Sequence, residues 1–268
     1  MARNQDQRQS KGQALKVLER GDIYFVYRPK VEEAPKIEEA AAEGWAEVQR
    51  LYMILRPYDK KRYRLIIIGQ KRLPEIDDAK QQTWGFVDKV SRAAQAMKDA
   101  LASATYHTKT RGERIQPEAR PAGEGIYAIV RHDDHTHLVY AMELPSRPGA
   151  VQQAFHLEEE GSYILSVKNP EQPSPRGVGL DESRRASFPK TLQTRFRGRR
   201  FIAVDPPNFL NYEGAEVLLV GASEDIAGEL GLQLQPQAET AATAEIFNDL
   251  RLERSRHAMK PLFEGQWQ

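Results

Sequence analysis

The feature that most limits the fold of this chain is a pair of segments that are apolar on both alternating faces. IYAIVRH (126–132) and THLVYAMEL (136–144) predict two β-strands joined by a polar tip. One face would carry Tyr127, Ile129, Leu138, Tyr140 and Met142, and the other Ala128, Val130, Val139 and Ala141. Such a strand pair has to be covered on both sides. We therefore expect this hairpin in the middle of the fold, with its tip bordering a cleft.

Similar strand patterns recur, whereas helical patterns are short. The predicted strands are DIYFVYRP (22–29), VQRLYMILRP (48–57), RYRLIIIGQ (62–70), WGFVDKV (84–90), GSYILSVKN (161–169), RRFIAVD (199–205) and EGAEVLLVGAS (213–223). The predicted helices are ALKVLER (14–20), SRAAQAMKDALASA (91–104), residues 149–157, EDIAGEL (224–230) and AEIFNDLRLE (244–253). Because strands dominate and often form hairpins, we predict an α+β fold of mainly antiparallel sheet with a few short helices.

Pro- and Gly-rich stretches divide the chain into five parts. We predict a flexible polar tail at 1–13, a first β-rich lobe at 14–110 that includes the helix 91–104, a connector at 111–125, a second β-rich lobe at 126–235, and a linker with a C-terminal helix or tail at 236–268.

The two predicted hairpins also align with each other. LYMILRPYDKKRYRLIIIGQKRLP matches IYAIVRHDDHTHLVYAMELP so that Tyr52 falls on Tyr127 and Arg56 on Arg131. The alignment needs two gaps. It therefore has two interpretations, an internal duplication that would make the lobes similar or two unrelated hairpins of apolar strands.

Composition excludes several kinds of chemistry. The chain has no cysteine, so disulfides, thiolate catalysis and cysteine-ligated metals are excluded. Its net charge of +1 predicts no strong overall attraction to nucleic acid or membrane. The polar N-terminus and the shortness of the apolar runs predict a soluble cytoplasmic protein with no membrane partner.

RHDDHTH (131–137) concentrates three histidines. If Asp133 and Asp134 form the turn, then His132, His135 and His137 share one face of the hairpin, and three histidines can hold a divalent metal such as zinc. The alternatives are a solvated hairpin tip, a hydrogen-bonded structural network, or a metal-free acid–base role.

RRASFPKTLQTRFRGRR (184–200) contains seven basic residues, no acidic residue and interleaved phenylalanines. Because the whole chain carries +1 and this stretch +7, the remainder carries −6, and the charge is unevenly distributed. Arginine binds phosphate bidentately and aromatic rings stack on bases. The proposed polyanion-binding residues are Arg184, Arg185, Lys190, Arg195, Arg197, Arg199 and Arg200, with Lys109, Arg111 and Arg114 from a second basic segment. The alternative is a solvated surface with its phenylalanines in the core.

The chain contains no Walker A motif, G-x-S-x-G or H-E-x-x-H, so no catalytic motif assigns it an activity. Three functional hypotheses remain. The first is a non-enzymatic binding protein whose basic stretch contacts a polyanion, with nucleic acid as the expected partner. The second is a scaffold that binds another protein. The third is a metal-dependent hydrolase that uses the three histidines, and no other cofactor is predicted.

Seven segments together resemble a family of bacterial and plant proteins that has no established activity. They are DIYFVYRP, RLYMILRP, TWGFV, YHTKTRGER, THLVY, VKNPE and DPPNFLNYEGAE. The resemblance extends over about residues 20–235. It implies one intact module and assigns no residue a role.

Overall fold

The computed structural model describes residues 15–33, 44–76, 78–108, 112–175, 177–223, 225–254 and 259–267. The strands in these ranges are β1 (Lys16–Pro29), β2 (Glu32–Glu33), β3 (Val48–Pro57), β4 (Tyr63–Ile68), β5 (Gln82–Ser91), β6 (Ala104–Thr108), β7 (Gly112–Gln116), β8 (Arg120–His132), β9 (His135–Leu144), β10 (Glu160–Lys168), β11 (Phe201–Ala203) and β12 (Glu216–Ser223). The α-helices are α1 (Ala94–Leu101), α2 (Ala150–Phe155), α3 (Lys190–Gln193), α4 (Ile226–Leu230), α5 (Ile246–Asp249) and α6 (Lys260–Phe263).

Eight of these strands form a closed antiparallel barrel. Their order is β1–β3–β4–β5–β12–β10–β9–β8, and β8 pairs with β1 to complete the circle. The first half of β10 pairs with β9, and its last three residues pair with β11, which lies outside the barrel. Strands β2, β7 and β6 form a separate small sheet.

The prediction of an α+β fold with two β-rich lobes is therefore wrong, because the structure is mostly β and its main element is one barrel. Two separate lobes do not form because the 14 residues of β1 pair with β3 on one side and with β8 on the other. This strand joins the two halves of the chain into one sheet, and the β5–β12 pairing joins them again. The segment 111–125 contains β7 and the start of β8, and Lys16–Arg20, expected as a helix, belongs to β1.

Each half of the chain contributes four barrel strands to the structure. The first half supplies β1, β3, β4 and β5, and the second supplies β8, β9, β10 and β12. If the strands of the two halves are matched in chain order, β1 corresponds to β8 and β3 corresponds to β9. The sequence alignment instead makes β3 correspond to β8. The internal duplication stays a prediction.

The inner face of the barrel wall is buried, and so is much of the outer face of β1, β3, β4, β8 and β9. The interior is a single hydrophobic cluster to which alternate residues of each strand contribute, for example Ile23, Phe25 and Tyr27 of β1. Outside, α1 and the C-terminal helices cover β1, β3 and β4, while α4 and the residues after it cover β8 and β9. The expectation that the 126–144 hairpin is covered on both sides is confirmed.

One end of the barrel is closed by an aromatic cap and an internal ion pair. Phe188 packs against Phe196 and Phe209, with ring centroids 5.9 and 5.3 Å apart. Beneath them Arg64 donates to both carboxylate oxygens of Glu19, at 2.5 and 2.9 Å, and both side chains are buried. The tip of the β8–β9 hairpin lies at this same end, because Lys16 at the start of β1 pairs with Arg131.

Candidate anion-binding site

Two segments that the sequence singled out separately meet at this end of the barrel. They are the tip of the β8–β9 hairpin and the turn between residues 194 and 200 that precedes β11. Together they line a half-open cavity of about 460 Å³. The residues that line the cavity are Arg131, Asp134, Arg195, Arg197, Arg199, Ile202, Ala203 and Asp205.

The backbone of the turn presents the arginines and buries the phenylalanine between them. A short 3₁₀ helix at Thr194–Phe196 ends at Arg197, which has φ 48°, and Gly198 follows with φ 75°. Two successive left-handed residues reverse the chain, and the Arg199 N–H then donates to the Phe196 carbonyl at 2.8 Å. Since Phe196 is 1 % exposed, it anchors the turn while Arg195, Arg197 and Arg199 extend outward.

Asp205 connects the turn to the hairpin tip. Its carboxylate accepts from Arg131 Nη1 at 2.9 Å, and its carbonyl accepts from Arg195 Nη1 at 3.4 Å. Arg131 also donates through Nε to the carbonyl of Asp133. Asp133 lies in the turn at the hairpin tip and has a φ of 51°. These contacts fix one wall of the cavity.

The cavity has a surplus of positive charge. Four arginines and two aspartates line it, which leaves a net charge of +2. Asp205 is already paired with Arg131. Within the described part of the chain, the guanidinium groups of Arg197 and Arg199 have no hydrogen-bond or ion-pair partner. Unpaired guanidinium groups in a concave surface are suited to bind an anion.

The structure distributes the other predicted basic residues differently. Arg184, Lys190 and Arg200 are exposed on the same segment, outside the cavity lining. Arg185 instead stabilises the loop before it, because it donates to the carbonyls of Leu180 and Pro170. The last three lie elsewhere: Arg114 is on β7 of the small sheet, while Lys109 and Arg111 are outside the described residues.

The phenylalanines of the basic stretch belong to the core. Phe188 and Phe196 pack into the cap. Phe201, which follows the stretch, is half-buried and packs against Trp84 with ring centroids 5.7 Å apart. The alternation of arginine and phenylalanine therefore reflects one buried and one exposed face, which is the alternative considered for this stretch.

The three histidines lie on the outer face of the hairpin, opposite to the side of Arg131. His132 pairs directly with His135, as the turn at Asp133 and Asp134 predicts, and His137 pairs with Val130. The His137 ring is buried, with Nδ1 3.0 Å from Ser162 Oγ. Burial, with smaller contributions from His132 and His135, lowers the pKa of His137 to about 4. The ring centroids of His132 and His137 are 6.1 Å apart.

Within the described residues, the side chains that lie close enough together to hold a metal ion are not the histidines but an acidic group elsewhere. Ligand atoms of Asp22, Glu245 and Asp249 lie within 4.8 Å of one another, and the histidines form no such group there. Arg56 Nη1 occupies this acidic cluster, at 2.7 Å from Asp22 and 2.5 Å from Asp249. Because Arg56 already contacts two of the three carboxyl groups, the cluster by itself does not indicate a metal. Zinc binding by the three histidines stays a prediction.

Comparison with other proteins adds no assignment. No protein-family model, curated protein or solved structure matches the chain. The resemblance to bacterial and plant proteins therefore stays a prediction. Among the described helices, none is long and apolar enough to span a membrane.

The sequence indicated the basic stretch and the hairpin tip but not their proximity. Arg131, Asp134 and Asp205 were absent from the predicted binding residues. A signal for Arg131 and Asp134 existed, because both lie within RHDDHTH. Asp205 carried no such signal, since its role depends on the contact between β11 and the hairpin.

Proposed function

We propose that the protein is a non-enzymatic, cytoplasmic binding protein that holds a nucleic acid at the arginine-lined cavity and along the exposed basic segment beside it. The observation that supports this function most is the pair of unpartnered guanidinium groups, Arg197 and Arg199, on one wall of a 460 Å³ cavity. Arginine is well suited to bind phosphate, because two of its parallel N–H groups match two phosphate oxygens.

The distribution of charge supports the same function. Arg184, Lys190 and Arg200 are exposed on the same segment of the chain, and no carboxylate of the described chain pairs with them. Such residues hold successive phosphates without reading the bases. Because Phe188 and Phe196 are in the core, these rings provide no base stacking, and we expect binding with little sequence preference.

The test is the affinity of the purified protein for a labelled single-stranded oligonucleotide, measured by fluorescence anisotropy between 50 and 300 mM salt. We expect a steep loss of affinity with salt, because bound arginines release counterions. Arg197→Ala together with Arg199→Ala should weaken binding at low salt and reduce the slope of log K against log salt by about two.

The matched control removes two positive charges at the opposite end of the barrel. Lys80 and Arg147 are exposed beyond the start of β5 and the end of β9. Lys80→Ala together with Arg147→Ala changes the net charge equally and should leave the affinity close to that of the wild type. Absence of binding at 50 mM salt, or equal losses in both double variants, would overturn the proposed function.

A further inference from the structure

The cavity differs in shape from the exposed basic surface that surrounds it. Arg197 and Arg199 approach from the turn, Arg131 and Asp134 from the hairpin tip, and Ile202 and Ala203 of β11 form an apolar side. A ligand that fills the cavity is therefore contacted from several directions. Arg184, Lys190 and Arg200 contribute nothing to this lining and face open solvent.

This difference in shape decides which of two kinds of phosphate group the cavity favours. A phosphodiester within a strand has two free oxygens and one negative charge, and the strand has to leave it in both directions. A terminal phosphomonoester has three free oxygens, carries a charge of about −1.5 to −2 at neutral pH, and is attached on one side only. A half-open cavity that is lined from several sides and has a net charge of +2 matches the second kind.

Resting on the proposed function, we infer that the cavity binds the terminal phosphomonoester of a nucleic-acid strand. Arg197 and Arg199 bind its oxygens, while Arg131, whose charge is balanced by its ion pair with Asp205, lines the facing wall. The adjoining phosphodiesters then lie along Arg200 and Lys190. The Asp134 carboxylate on the hairpin wall repels a second phosphate there.

The test compares three otherwise identical labelled single strands, with a 5′-phosphate, with a 3′-phosphate, and with hydroxyls at both ends. Their dissociation constants are measured by anisotropy at one salt concentration, the label being internal. We expect a terminal phosphate at one of the two ends to strengthen binding by roughly tenfold or more, because it adds charge-assisted hydrogen bonds. Arg197→Ala with Arg199→Ala should remove this preference.

Arg184→Ala with Lys190→Ala is the discriminating control. These residues lie outside the cavity, so the change should weaken all three strands by the same factor and preserve the preference for a terminal phosphate. A preference that survives in the Arg197/Arg199 variant would overturn the inference.

The outcomes also separate this inference from the proposed function. If the three strands bind with equal affinity, the terminal-phosphate inference fails and nucleic-acid binding stands. If adenosine 5′-monophosphate alone binds as tightly as the phosphorylated strand, and only when Arg197 and Arg199 are present, the cavity recognises a phosphomonoester without the strand. The inference about the group then stands, and the proposed nucleic-acid function fails.

Discussion

Glu19 and Arg64 place a full ion pair inside the barrel, where neither side chain is more than 1 % exposed. The remaining polar atoms are satisfied, because Tyr127 donates to Glu19 and Arg64 donates to Asn211. Glu19→Ala would leave a guanidinium without its carboxylate, and we expect a loss of about 3–5 kcal/mol in the free energy of unfolding. Urea denaturation followed by circular dichroism measures this loss.

The control for Glu19→Ala is Lys60→Ala. Lys60 Nζ lies 3.7 Å from Glu19 Oε2, but its side chain is 36 % exposed. A solvated pair contributes no more than about 1 kcal/mol. Similar losses for the two variants would contradict the assignment of Glu19 and Arg64 as a structural pair.

We expect the buried His137 to make the folded protein less stable at acidic pH. Its pKa is lowered to about 4, whereas an unfolded histidine titrates near its ordinary 6.5. Between these values the unfolded chain takes up a proton that the folded chain refuses, so stability falls as the pH is lowered from about 7 to 4. We expect His137→Gln to reduce this dependence in urea unfolding at pH 7 and 4.5. His135→Gln, at an exposed position beside it, should leave the dependence nearly unchanged.

At the scale of elements, two carboxylates of the barrel wall hold the segment that leads into α5. Glu124 of β8 accepts from the N–H groups of Glu245 at 2.6 Å and Ile246 at 3.2 Å. Glu143 of β9 accepts from the N–H of Gln237 at 2.6 Å. Burial, and then the neighbouring Glu239, raises the pKa of Glu124 to about 9.

This raised pKa predicts that alkaline conditions loosen the segment. A carboxyl group whose pKa rises from 4.5 to about 9 on folding stabilises the folded state below pH 4.5, and the contribution is lost as the pH rises toward 9. Glu124→Gln retains an acceptor for the two N–H groups and cannot ionise. We expect it to lose less stability than the wild type between pH 6 and pH 9 in urea unfolding. Glu113→Gln, exposed on β7, should behave as the wild type does.

The elements themselves were predictable where a strand has a regular apolar pattern. Both hairpins and the strands at 161–169 and 213–223 lie where the sequence places them. Lys16–Arg20 was mistaken for a helix because its apolar residues fit a helical spacing and Gly21 resembles a helix end. In the structure Gly21 is needed for a different reason, since a Cβ there would lie 2.1 Å from the Arg56 carbonyl oxygen of the neighbouring strand. Local pattern cannot reveal such a close approach.

The two segments of the candidate site were predictable from the sequence, but their proximity was not, because local pattern cannot reveal a contact between distant segments. Residue types marked both the arginine turn and the hairpin tip as unusual. Their meeting rests on the β9–β10 and β10–β11 pairings and on Thr136, whose Oγ1 donates to the Leu165 carbonyl and accepts from the Val204 N–H. A single buried threonine fixes the hairpin, β10 and the end of β11 relative to one another, and threonine is too common to signal this from sequence.

At the scale of the whole molecule, the closed sheet predicts one cooperative unfolding transition. The first and second halves of the chain share the β1–β8 and β5–β12 pairings and one interior core, so neither half retains a complete barrel without the other. We expect the urea transitions followed by tryptophan fluorescence and by far-ultraviolet circular dichroism to coincide. Two separated transitions would instead indicate halves that fold independently.

The exchange of partners along β10 has a further consequence. The barrel wall divides there into two branches, with β9 continuing the closed circle and β11 leaving it through only three residue pairs. The outer branch carries the arginine turn, and it is tied back to the β8–β9 hairpin by the Val204 N–H bond to Thr136 and by the Arg131–Asp205 ion pair. The width of the cavity is therefore set by contacts with the barrel itself, and a ligand has to match the spacing that these contacts impose.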